Sequence, residues 1–140
     1  MAANQKPIFI LKGNFKPARI AAANTASDGS GALVALVTSA TDGTRVDGVR
    51  FINSQATAAI SGAKVLRIFI SDTLGANFRL IGEVAMLTAT RSTTAIGATA
   101  IYTFDQPVIM LSGQVISVCM SVYAGPQDQT DACAFAGDYN

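Results

Sequence analysis

The sequence predicts an all-β domain, an antiparallel sandwich or barrel of about eight strands. Three observations carry that expectation. First, apolar residues recur with period two. Leu66, Ile68 and Ile70 alternate with Val65, Arg67, Phe69 and Ser71, and Ile116, Val118, Met120 and Val122 alternate with Ser117, Cys119 and Ser121. Second, clusters of Gly, Asn, Asp, Ser and Pro punctuate the chain roughly every 8–12 residues. Third, no stretch carries a helical period. The one alternative is a helix through Thr88 to Ala100, and its β-branched threonines and Gly97 oppose it; Val84 to Leu87 has room for a single helical turn at most.

Taken in order, residues 1–17 read as an extended N-terminal arm preceding a single domain over residues 18–140. Pro7 and Pro17 bracket the arm, and Ile8, Phe9, Ile10, Leu11 and Phe15 follow no regular period. Such a terminus either drapes over its own domain or docks on another chain. Docking is the expectation here, because large apolar groups are costly to leave in water. Ala18 to Asn24 is a weak strand, followed by a turn cluster from Thr25 to Gly31 and a stronger strand from Ala32 to Thr38. Asp42-Gly43 turns into a run rich in β-branched and aromatic residues, Arg45 to Asn53. A small polar connection then leads to Lys64–Ser71, a strand with one aliphatic face and one carrying Arg67, Phe69 and Ser71. Phe78 to Met86 and Ala98 to Phe104 are further strands, and Pro107 to Leu111 reads as an edge piece because proline cannot donate to a ladder. Gln114 to Tyr123 and Asp131 to Gly137 complete the set.

Composition narrows the class. Half of the 140 residues are apolar but only 14% are charged, below the ~25% usual for soluble domains. A surface so poor in charge suggests cover by neighbours. No apolar run approaches the ~20 residues that span a bilayer. The apolar island from Pro7 to Leu11 is too short for a signal-peptide core, so an intracellular, soluble product with no membrane partner is expected. Lys6, Lys12, Lys16 and Arg19 precede the first acid, Asp28, whereas Asp105, Asp128, Asp131 and Asp138 follow the last base, Arg91. Either this asymmetry is chance, or a basic head meets an acidic surface on another copy or a partner. The bases lack interleaved aromatics, so direct nucleic-acid binding is not expected. Cys119 and Cys133 would face each other only in a symmetric hairpin about Pro126; in a sandwich whose strands switch sheets they stay apart, and free buried thiols are expected.

Chemistry is hard to find. The chain has no histidine, which removes the commonest general base and transition-metal ligand, and Glu83 is its only glutamate. The carboxylates lie singly in turns and form no evident acid–base pair. Gly29-Ser30-Gly31 opens a strand and lacks the lysine of a phosphate loop, while Asp72 to Asn77 is a turn more simply than a cation loop. The expectation is a non-enzymatic protein without cofactor or metal. Arg67 and Phe69 form either a contact patch or a solvated face with a snorkelling arginine. Tyr102 and Tyr123 read as packing residues with a wetted hydroxyl, and Arg45 with Asp47 as a local surface pair.

One resemblance adds to this. The motifs GTRVD from Gly43, RIFISD from Arg67, LSGQVIS from Leu111 and FAGDY from Phe135 occur in an order and spacing similar to small β-sandwich proteins encoded beside the major capsid gene of tailed double-stranded DNA bacteriophages. Those are capsid cement, or decoration, proteins, several of jelly-roll topology. The resemblance spans Gly43 to Tyr139 and does not include the first forty residues. It implies a jelly-roll-like fold and a virion structural protein, made in the host cytoplasm, that binds the outer capsid surface. There it would bridge neighbouring major capsid subunits and associate with itself as a dimer or a trimer. Lys6, Ile8, Phe9, Ile10, Leu11, Lys12, Phe15 and Lys16 of the arm, with Arg67 and Phe69, are the candidate capsid or self contacts. A tail-fibre or other module recognising a carbohydrate or receptor is the alternative; it would call for aromatic or acidic loops, and these loops are rich in Ser, Thr and Ala.

Overall fold

The computed structural model describes residues 10–54, 60–126 and 128–139, which form eleven strands and no helix. In chain order these are β1 (Ile10–Gly13), β2 (Ala18–Ile20), β3 (Val34–Thr38), β4 (Thr44–Asn53), β5 (Ile60–Ser61), β6 (Lys64–Ile70), β7 (Arg79–Met86), β8 (Ala89–Thr90), β9 (Thr99–Met110), β10 (Val115–Met120) and β11 (Thr130–Tyr139). The main strands fall on the runs that alternation marks. Two differences stand out. Ala98–Phe104 and the Pro107 piece belong to one long strand, β9, which bulges opposite Asp47, so that Val46 faces Val108 while Gly48 faces Thr103. Pro107 sits within that bulge, where no ladder bond is required of it. The stretch from Val84 stays extended to Met86.

Pairing is nested. β2 pairs β11, β3 pairs β10, β4 pairs β9 and β6 pairs β7, all antiparallel. β11 also pairs β4, and β10 also pairs β6. The result is two antiparallel sheets, β2-β11-β4-β9 with β1 added beside β2 on β11, and β3-β10-β6-β7, with a small β5–β8 ribbon apart. Cys119 and Cys133 therefore lie in different sheets, each free and buried.

Between the sheets, period-two side chains interlock. Val46, Val49 and Phe51 of β4 and Ala132 and Ala134 of β11 meet Leu66, Ile68, Ile116, Val118 and Met120 from the other sheet. Ala132 stands beside Phe51 and Ala134 beside Val49, small beside large, so the two adjacent strands fill one layer without overpacking. The two sheets also close at one side: the Tyr102 ring of β9 covers Gly82 of β7, where an added Cβ would lie 2.7 Å from the ring, and its hydroxyl donates to the Ile81 carbonyl at 3.4 Å.

The outer face of the four-stranded sheet is not free. The connection from β2 to β3 runs across it: Asn24 N–H donates to the Met120 carbonyl at 2.8 Å, and Ala23 bridges Met120 in parallel. The Asn24 side chain is buried and shapes the crossing, donating to the carbonyls of Ser30 and Ala32 and accepting from Ala26 N–H. Gly31 completes it with φ +78°, in a place where a Cβ would meet the Asn24 amide.

This crossing corrects the expectation for Arg67 and Phe69. Arg67 donates to the carbonyl of Thr25 at 3.2 Å and to Glu83 at 2.8 Å, and only 14% of its side chain is exposed. Phe69, two residues along the same face, is wholly buried yet lies outside the central cluster, so its cover is on the outer side of the sheet. A local alternation pattern cannot see a distant segment laid over the polar-looking face. Neither residue is an open contact.

Candidate functional site

Among the described residues, the edge formed by the first strands pairs with no further strand. β11 carries β4 on one side and, end to end, β1 and β2 on the other, so β1 and β2 form the border of the five-stranded sheet. Residues 10–17, expected as an arm apart from the sandwich, lie along this border. Of the candidate contacts, Ile10, Leu11, Lys12, Phe15 and Lys16 gather there; Lys6, Ile8 and Phe9 lie outside the described residues. Ile10, Leu11 and Phe15 are 45%, 64% and 62% exposed, and both lysines are exposed.

The border is held from beneath by polar bonds. Asn14 is buried, donates its N–H to the Ala136 carbonyl at 2.9 Å, and gives its side-chain amide to Asp138 at 3.0 Å. Thr44 donates to the same carboxylate at 2.6 Å. Ile10 packs over Gly137, where any Cβ would clash with it. Farther along, Arg19 and Asp131 pair at 2.9 Å, and this hydrogen bond, ahead of the other causes, holds the Asp131 carboxyl below its ordinary range. Lys12 stands opposite Asp138 in the ladder. The basic head thus meets the acidic tail of its own chain.

Two features have no clear local signal in the sequence. Phe135, Ile101 and Ile109 are exposed on the outer face of the same sheet, and Phe135 lies two residues along β11 from Gly137, over which Ile10 packs. The apolar edge therefore continues onto a face. A single large residue among the alanines of β11 was the available hint, whereas in β9 the period favours the opposite set, Ala100, Tyr102 and Phe104. The other feature is a buried polar group at the far end of the sandwich. Lys64, Asn53 and Asp128 are all buried; Lys64 Nζ donates to Asp128 Oδ1, and Asn53 Nδ2 donates to the same oxygen at 3.2 Å. Ala124 N–H holds Asp128 Oδ2 at 3.2 Å. Lys64 begins an apolar strand and Asp128 sits in a loop, so nothing local links them.

Other ionisable groups serve the scaffold. Asp72 closes its turn by accepting from Leu74 N–H, Ala76 N–H and Asn77, and the Ala76 bond is the first cause of its lowered pKa. Asp28 is lowered in the same way, chiefly by the Ser30 hydroxyl. Burial pushes the Cys119 thiol up, and its S–H points to the Asn24 carbonyl at 3.8 Å. Among the described residues, no three Cys, Asp or Glu side chains converge as a metal site would require. The border is an edge strand, which in general presents unpaired backbone donors and acceptors, here flanked by apolar and cationic side chains.

No protein-family model matches the chain, and no curated protein matches it at a significant level. The resemblance to capsid cement proteins therefore stands on the quoted motifs alone.

Proposed function

We propose that this protein is a non-enzymatic decoration protein of a bacteriophage capsid, binding the outer shell and bridging neighbouring major capsid subunits. The observation that carries this reading is the border at β1, where Ile10, Leu11 and Phe15 stand exposed beside Lys12 and Lys16 and where β1, paired with β11 on one side, meets no described strand on the other. Such an edge accepts an extended segment by strand addition, with backbone bonds supplying affinity and side chains supplying register. The nested strand order supports a jelly-roll reading of the sandwich, an architecture shared by viral capsid and lectin domains. Repetition on an icosahedral lattice turns weak single contacts into durable attachment, and two-fold or three-fold self-association would present several such edges at once.

The test is co-sedimentation of the purified protein with undecorated heads of the phage that encodes it, followed by imaging. Saturable binding at fixed lattice positions, lost in a Leu11→Ser/Phe15→Ser variant that remains folded, supports the proposal. Absence of binding to heads, with the protein found on tail fibres, moves the assignment to a receptor-binding module.

A further inference from the structure

The buried group of Lys64, Asn53 and Asp128 joins the two sheets at the end of the sandwich opposite the Asp42-Gly43 turn: Asn53 ends β4 in one sheet, Lys64 begins β6 in the other, and Asp128 precedes β11. A buried ion pair with one partner each is a common, if costly, structural device. This one differs in that a single carboxylate oxygen accepts from both an amine nitrogen and a carboxamide nitrogen. The other carboxylate oxygen is tied to Ala124 N–H, which fixes the orientation of the group. A second observation is independent. Thr130 stands directly opposite Asn53 in the β4–β11 ladder, is wholly buried, and its hydroxyl has no hydrogen-bond partner. Buried hydroxyls without partners are rare and call for an explanation.

We propose that Lys64 and Asn53 form an intramolecular isopeptide bond, with Asp128 moving the protons and Thr130 stabilising the oxyanion. Asp128 Oδ1 takes a proton from Lys64 Nζ, and the neutral amine attacks Cγ of Asn53. The Thr130 hydroxyl donates to the oxyanion that develops on Asn53 Oδ1. Asp128 then delivers its proton to Nδ2, the Cγ–Nδ2 bond breaks, and ammonia leaves with the second proton released from Nζ. One amide replaces another, no oxidant or other reactant is needed, and loss of ammonia draws the exchange forward. Burial holds the reacting groups together and keeps water from competing. The bond would tie the two sheets covalently. It does not depend on the protein's docking partner.

The experiment is peptide mass mapping of the full-length protein, folded at neutral pH, then denatured and digested with trypsin. The expected product is the fragment 51–67, uncut after Lys64 and lighter than its sequence by one ammonia. Recovery of the fragment 51–64 at full mass overturns the proposal. So does a linked product lighter by one water, which would place the bond on Asp128. In Asp128→Asn, with its fold verified by circular dichroism, cleavage after Lys64 should return; persistence of the linked fragment would refute the role given to Asp128. Thr130→Val should form the bond more slowly, and an unchanged rate would refute the oxyanion role.

Discussion

Phe69→Ala removes a ring that the alternation pattern assigns to an open face and that the fold covers. The side chain is 0% exposed, between Ser117 of β10 and Leu80 of β7 in the ladder, on the sheet face crossed by the β2–β3 connection. A phenylalanine buries roughly 150–250 Å². At ~25 cal/mol per Å², that is about 4–6 kcal/mol for the whole side chain. The alanine methyl keeps part of it, which leaves about 3–5 kcal/mol, the range for such truncations in close-packed sites. The melting temperature should fall by on the order of 10 °C. Urea unfolding followed by far-ultraviolet circular dichroism measures the change as a shift in midpoint at constant slope. A loss below about 0.5 kcal/mol, typical of exposed positions, would refute the covered face and restore Phe69 as a surface contact.

Phe15→Ser should leave stability within about 0.5 kcal/mol of the parent in the same unfolding assay; a larger loss would mean that the border ring packs on its own domain. Asp131 has a folded pKa below its unfolded value. Its stabilisation is therefore complete above the ordinary carboxylate value of about 3.9 and is lost as pH falls through the depressed folded value. Because the Arg19 and Asp131 side chains are 57% and 33% exposed, Asp131→Asn should lower stability by less than about 1 kcal/mol on the plateau above the ordinary carboxylate value and leave it unchanged at the lowest pH. The Cys119 thiol, raised by burial, should react with Ellman's reagent at pH 8 only slowly in the folded protein and promptly in denaturant; rapid native labelling of a Cys133→Ser variant would contradict its burial.

The motifs that resemble cement proteins acquire a physical meaning in the fold. Gly43 turns with φ +99°, Thr44 and Asp138 bond each other, Asp72 closes its turn, and Gly113 turns with φ +85° against Thr73. All of these lie at one end of the sandwich. They are turn and cap chemistry, so they speak to the architecture more directly than to a partner. The candidate contacts behave differently. Ile10, Leu11 and Phe15 were recognisable as large apolar groups without a periodic home, and that irregularity is what an edge strand with a bulge between Ile10 and Lys12 produces. Arg67 and Phe69 misled because the same outward alternation describes a solvated face and a face covered by a remote segment.

Local chemistry decided the strands. Period two, β-branched side chains and the spacing of Gly and Asp act over a few residues, and they suffice for an all-β chain with its turns nearly in place. Which faces are covered, that Arg19 and Lys12 of the head lie against Asp131 and Asp138 of the same chain, and that Lys64, Asn53 and Asp128 meet beside Thr130 follow from the assembled sheets alone. Asn53 and Asp128 are 75 residues apart, and their meeting depends on strands that pair across the whole chain. Non-local pairing of that kind leaves no periodic mark on either segment, because burial and hydrogen bonding at such a site are properties of the assembled sheets.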